Sequence, residues 1–136
     1  MKKDDCIFCK IANGEIPSKT IYEDDVVRVF LDLGPATKGH ALVVPKEHAD
    51  NLYELSEETA AHVMKVAKKM ATTMTEKLGA VGFNLVQNNG EAAGQTVMHF
   101  HLHLIPRYVD DKQIMMWRPG SPTQEELEEI KNTIIG

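Results

Sequence analysis

The chain has 136 residues, of which 43% are hydrophobic and 26% charged, and a formal net charge of −5. That length is enough to bury a core as one domain over residues 1–136 without disulfide staples. The acidic balance leaves no electrostatic footprint for a nucleic-acid polymer. No apolar run approaches the roughly 18 residues that a membrane span needs.

The N-terminal stretch MKKDDCIFCK has two lysines but no apolar segment behind them, so it does not read as a secretory signal. Its only cysteines, Cys6 and Cys9, form C-x-x-C, and so short a loop makes a poor structural disulfide. A reducing, cytoplasmic setting is the expectation. By itself the pair is ambiguous. A thioredoxin-like motif opens a helix after a strand, and no strand is predicted ahead of Cys6. A tetrahedral structural zinc needs two further nitrogen or sulfur ligands from elsewhere.

Downstream, TIYE and VVRVFL flank Asp24–Asp25 and predict a hairpin over residues 20–32. GHALVVPK reads as a short strand ended by Pro45, which cannot donate to a ladder. The longest helix is predicted from Ser56 to Leu78, with Ser56 as N-cap, Glu57 and Glu58 in the first turn and Gly79 as the stop. Ala60, Met64, Ala67, Met70 or Ala71, Met74 and Leu78 recur at helical spacing. A methionine-rich stripe of this kind reads as core rather than as a docking groove. Lys65, Lys68, Lys69, Thr72 and Glu76 fall on the other side, and His62 reads as a surface or boundary residue.

Two more strands follow, VGFNLVQN and VMHFHLHLIP. A last helix is expected to begin near Ser121, with Pro122 at its first position, Gln124 placed for a capping box, and Leu127, Ile130 and Ile134 as its apolar face. This order predicts an α+β fold: a largely antiparallel sheet of about five strands, one long central helix and a C-terminal helix.

The second of those strands carries His99, His101 and His103 at alternate positions. In a helix His101 would point away from the other two. In a strand all three share a face, with neighbours about 6.5–7 Å apart. Phe100, Leu102, Leu104 and Ile105 favour the strand and would cover the helix with its apolar face. Three uses compete: a solvated polar face, a catalytic metal site, and nucleophilic or acid–base chemistry by neutral imidazole. The loop just upstream, QNNGEAAGQT, offers backbone N–H groups at its glycines and side-chain donors at Asn88, Asn89, Gln95 and Thr96. Such a loop can cradle phosphate oxygens, which favours the third use.

The run HFHLHLI matches the pattern His-φ-His-φ-His-φ-φ, with φ apolar, and with CIFCKIANGEIPS, FLDLGPATKGHALVVPKEH and VQNNGEAAGQTV it resembles the histidine triad (HIT) family of nucleotidyl hydrolases and transferases. The likeness covers residues 6 to about 108 and looks closest to bacterial relatives of the purine nucleoside phosphoramidases. It implies a HIT-like fold and release of a nucleoside 5′-monophosphate from a phosphoramidate or acyl-adenylate through a nucleotidyl-histidine intermediate. The nucleophile would be His101, with His103 and His40 lining the α-phosphate site. Asn88, Gln95 and Thr96 match residues at the phosphate or leaving group, and Asp32 matches a carboxylate that accepts both ribose hydroxyls. Phe8, Ile16, Leu31 and Leu33 would form an apolar slot for a purine base. Diadenosine polyphosphate hydrolysis, a non-catalytic nucleotide sensor and a metalloenzyme using all three histidines are the alternatives.

Some members of that family also carry a Cys-Cys-His-His zinc site in which the first triad histidine is the fourth ligand. The resemblance therefore implies structural zinc at Cys6, Cys9, His48 and His99, and no organic cofactor. It implies a homodimer, with C-terminal residues near the partner's active site. Trp117, in MMWRPG, is a candidate for that role or for an ordinary core aromatic.

Overall fold

The computed structural model describes residues 2–114 and 116–136. In chain order it contains α1 (Ile7–Ala12), β1 (Thr20–Glu23), β2 (Val27–Leu31), β3 (Ala41–Pro45), α2 (Glu57–Leu78), β4 (Gly82–Val86), a 3₁₀ turn (Glu91–Ala93), β5 (Leu102–Arg107) and α3 (Gln124–Ile135). The five strands form one antiparallel sheet in the order β1-β2-β3-β5-β4. Among the described residues no helix is long and apolar enough to cross a membrane.

Local chemistry accounts for the elements. The hairpin turns where Asp24 Oδ1 accepts from the backbone N–H groups of Val26 (2.8 Å) and Val27 (2.9 Å). Helix α2 starts where Ser56 Oγ accepts from Thr59 N–H at 3.2 Å, and stops at Gly79, whose φ of +71° is left-handed. His62 is half-buried at the edge of α2, with Nε2 2.7 Å from Asp24 Oδ2.

The sheet has a different apolar layer on each face. Val27, Val29, Ala41, Val43, Leu102 and Leu104 pack against α2. Phe30, Leu42 and Val44 point the other way, against Ala12, Phe8 and Ile11 of α1. Strand β3 is buried throughout because it is covered on both sides.

Four expectations need correction. The buried stripe of α2 is Val63, Val66, Ala67, Met70 and Met74, while Met64 is 53% exposed. One residue is a rotation of about 100° on a helix, which turns Met64 toward the lysine face. Helix α1 was not anticipated, since six residues are too few to show a period. Helix α3 starts later than expected: its N-cap is Thr123, and the capping box is closed by Glu126 rather than Gln124. None of its residues is buried, and Leu127, Ile130 and Ile134 are exposed.

The fourth correction concerns the histidine segment, which is only partly strand. β5 begins at Leu102, so His103 alone of the three lies in the ladder. In the β3–β5 register, which pairs Val43 with Leu102, Phe100 would fall opposite Pro45, which has no N–H. Phe100 N–H instead donates to Ala49 O at 2.7 Å. The alternation survives: Phe100, Leu102 and Leu104 remain in the core with α2.

Candidate active site

Helix α1 lies against the histidine face and delivers three side chains to it. Cys6 is its N-cap, with Sγ accepting from Cys9 N–H at 3.4 Å, and Cys9 one turn later is fully buried. Between them Phe8 sets its ring edge-on to His101 (centroids 5.1 Å apart, 89°), His99 (6.1 Å, 71°) and Phe30 (5.9 Å, 80°).

Cys6 and Cys9 meet His48 and His99. His99 Nδ1 is 3.3 Å from Cys6 Sγ and 3.4 Å from Cys9 Sγ, and His48 Nδ1 is 3.4 Å from Cys9 Sγ. Around a tetrahedral zinc, with Zn–S of about 2.3 Å and Zn–N of about 2.0–2.1 Å, a sulfur and a nitrogen ligand sit about 3.5 Å apart. The remaining ring nitrogens are anchored: His99 Nε2–H donates to Pro45 O (2.8 Å) and His48 Nε2 faces Asp50 Oδ1 at 2.6 Å. His99 thus aims a lone pair at both sulfurs and His48 at that of Cys9, each ring held from behind as metal-ligating imidazoles are. Burial lowers the His99 pKa to about 4, so its ring is neutral, as a ligand must be. Burial pushes the Cys9 thiol up, with the Lys3 N–H pulling the other way, so a thiolate there calls for a cation. The four residues fit zinc.

The other two triad histidines belong to a separate arrangement. His101 Nδ1 lies 2.8 Å from the carbonyl of His99. A carbonyl only accepts, so Nδ1 carries the proton and Nε2 keeps its lone pair. At His40 the logic is reversed: Ala36 N–H donates to Nδ1 at 2.9 Å, which puts the proton on Nε2. That proton is donated to His103 Nδ1 at 2.9 Å, leaving an N–H on His103 Nε2. Asp32 Oδ2 stands 3.6 Å from His40 Nε2. Burial lowers the pKa of all three rings, His103 to about 4 with His101 and His40 as further contributors, so each is neutral near pH 7. Asp32, His40 and His103 also bring their ligand atoms within 4.8 Å of one another, but the facing nitrogens of the two rings are already hydrogen-bonded to each other. The three triad histidines do not converge on one point, as a metalloenzyme using all of them would require.

His101 and His103 open onto a cleft of about 490 Å³. Asp32, Thr96, Phe8, Leu31 and Leu33 line it with them. Asp32 Oδ1 accepts from Gly34 N–H at 2.8 Å, leaving Oδ2 as its freer oxygen. Ile16, His40, Asn88 and Gln95 are not in the lining, and His40 stands behind His103 rather than on the cleft wall. Gln95 is buried as a loop brace: Nε2 donates to Asp50 O (2.6 Å) and Val97 O (2.9 Å), and Oε1 accepts from Gly90 N–H (2.8 Å). Asn88 lies against Gly94, whose φ of +101° turns the loop back toward the histidines. Ile11, Phe30 and Leu42 in the cleft wall, Asp50 behind His48, and the Ala36 amide behind His40 are site groups beyond those expected from the sequence. For Ile11 the spacing Ile7–Ile11 is one helical turn, too little to mark a helix by itself. Backbone donors leave none.

A five-stranded antiparallel sheet with neutral histidines ranked along an apolar cleft defines a histidine-triad protein. The chain belongs to the HIT family, whose domain description matches residues 13–110. A HIT family protein from Bacillus anthracis superposes with a TM-score of 0.91 at 47% identity, covering 97% of this chain and 96% of that one. An adenosine 5′-monophosphoramidase of Schizosaccharomyces pombe is 42% identical over 126 residues, 93% of this chain and 90% of its own. An adenylylsulfatase of Arabidopsis thaliana is 40% identical over 105 residues, 77% of this chain and 53% of its own.

Proposed function

We propose that this HIT-type hydrolase, acting as one domain, releases a nucleoside 5′-monophosphate by two successive displacements at the α-phosphorus. The substrate class is an adenosine 5′-phosphoramidate or a related adenylate. The observation that carries the reading is the proton on His101 Nδ1: held by the His99 carbonyl, it leaves Nε2 as an unprotonated nucleophile beside the cleft.

In the first displacement Nε2 attacks phosphorus. The P–N bond breaks with its electron pair going to nitrogen, which takes a proton from solvent. In the second, water attacks phosphorus, the P–Nε2 pair returns to the ring, and the water's proton goes to solvent. One hard step becomes two easier ones, because a phosphorylated imidazole is a good leaving group. His103 Nε2–H, with His40 behind it, donates to the α-phosphate oxygens as charge builds there. Asp32 Oδ2 accepts from the ribose hydroxyls and the Phe8–Leu33 slot takes a purine. Thr96 meets the leaving-group side, while Asn88 and Gln95 act through the shape of their loop. The monophosphoramidase and adenylylsulfatase relatives, whose names share an adenylyl group and differ in what leaves it, support a reading centred on the α-phosphate.

Zinc at Cys6, Cys9, His48 and His99 would cross-link α1 to the histidine segment and supply no chemistry to the reaction. Cysteines kept out of a disulfide suit the cytoplasm. A homodimer would give the exposed Trp117 and the apolar face of α3 a partner to cover them. Rates of AMP release from adenosine 5′-phosphoramidate and from diadenosine tetraphosphate test the substrate class. Faster release from the phosphoramidate supports it, and turnover of the dinucleotide alone overturns it.

A further inference from the structure

A hydrogen-bonded chain runs from the end of β5 to the cleft. Arg107 closes a fork on Asp111, Nε to Oδ2 at 2.8 Å and Nη2 to Oδ1 at 2.9 Å. Asp111 also accepts from the backbone N–H groups of Tyr108 (2.9 Å) and Gln113 (3.0 Å), and Arg107 Nη2 donates to Gln113 O at 2.6 Å. Arg107 Nη1 reaches Asn84 Oδ1 on β4 at 2.8 Å, which ties the group to the sheet. The turn needs this bracing, because Asp110 and Lys112 on either side of Asp111 have φ of 62° and 63°, where non-glycine residues are disfavoured.

The braced turn grips the loop that carries His40. Gln113 Nε2 donates to Ala36 O at 2.8 Å, and Tyr108 Oη donates to Lys38 O at 2.7 Å. The same Ala36 gives its N–H to His40 Nδ1. Between Lys38 and His40, Gly39 has φ +90°, a left-handed turn that favours glycine, and a Cβ there would meet Leu78 Cδ1 at 2.5 Å.

We propose that Gln113, held by the Arg107–Asp111 pair, is a positioning residue that fixes the tautomer of His40 and thereby the proton His103 presents to the substrate. This rests on the phosphate-site reading of His40 and His103 given above. Neutral imidazole donates at one nitrogen and accepts at the other. With Ala36 N–H on Nδ1, the chain runs His40 Nε2–H to His103 Nδ1, and His103 Nε2–H faces the cleft. With that amide displaced, His40 can carry its proton on Nδ1. The His40–His103 bond then reverses, and His103 turns a lone pair toward the phosphate oxygens. A donor becomes an acceptor at the place where negative charge accumulates. Asp32 Oδ2 biases His40 the right way, but at 3.6 Å it is beyond hydrogen-bond reach. The Ala36 amide is therefore the deciding contact, and Gln113 holds the residue that makes it.

The test is Gln113→Glu, which keeps the shape and loses the donor. Gln113→Lys, which keeps a donor, is the rescue. Long-range proton–nitrogen spectra of the histidine rings at neutral pH should show His40 Nδ1 as an unprotonated acceptor in wild type and a mixed tautomer in Gln113→Glu. On adenosine 5′-phosphoramidate, kcat/KM of Gln113→Glu should fall about tenfold, the scale of one hydrogen bond, with Gln113→Lys recovering both readouts and Tm little moved. An unchanged His40 pattern overturns the inference. So does a changed pattern with kcat/KM within about twofold of wild type, well under one hydrogen bond. The spectra need no turnover, so a wild type silent on the phosphoramidate counts against the catalytic reading, and the tautomer shift is judged separately.

Discussion

Cys9→Ser separates two descriptions of the cysteine–histidine cluster by size alone. Serine is close to cysteine in shape and only slightly smaller, so the fully buried site gains little cavity. Were the cluster only hydrogen-bonded, the Cys9 thiol could donate once, to His48 or His99, and accept from Lys3 N–H. A hydroxyl can do both, and the change would stay within about 1 kcal/mol. If zinc fills the site, serine removes one of four ligands and with it most of the affinity. Occupancy at a hundred to a thousand times Kd stabilises the fold by about 2.7–4.1 kcal/mol. For a chain of this size each kcal/mol moves Tm by about 3–5 °C, so Cys9→Ser should lower Tm by about 10–20 °C. Elemental analysis of protein purified without a polyhistidine tag should give one zinc per wild-type chain and almost none in the variant. An untagged wild type without metal, or a variant that melts within about 3 °C of it, refutes the zinc site.

The pH dependence follows from burial. His103 has its folded pKa lowered to about 4, against about 6.5 when unfolded. As pH falls below about 6.5 the unfolded chain binds the proton first, so the stability present at neutral pH drains away between about 6.5 and 4. The acid limb of kcat/KM should likewise lie below 6.5, and a limb centred at or above 6.5 would show that the rings are not held neutral. Phe8→Ala removes the three edge-on ring contacts against His99, His101 and Phe30 and should cost about 2–3 kcal/mol of stability. It should also raise KM for the purine substrate, measured by initial rates, and an unchanged KM would take Phe8 out of the base slot.

Much of the fold was legible in the sequence because local chemistry and periodicity agreed with it. Ser56 and Gly79 bracket α2 with the expected capping, and TIYE and VRVFL pair around Asp24. The alternation of His99–Leu104 separated ring face from core face even where the ladder is missing, because side-chain direction survives the loss of strand bonds. What stayed hidden depends on contacts distant in sequence. The rotation of the α2 stripe from Met64 to Val63 is set by the sheet it covers, and the exposed face of α3 by the absence of any described neighbour packed on it. Residue types suggested which side chains carry chemistry. Their hydrogen bonds show that Gln95 braces a loop and that His40 takes its proton position from Ala36.

The nucleophilic role of His101 Nε2 is read from kcat/KM on adenosine 5′-phosphoramidate for wild type and His101→Ala, with Tm and zinc content recorded for both. Wild type should be active, and a variant that keeps its fold and metal should lose about a thousandfold or more. A folded His101→Ala enzyme working within about tenfold of wild type would contradict that role.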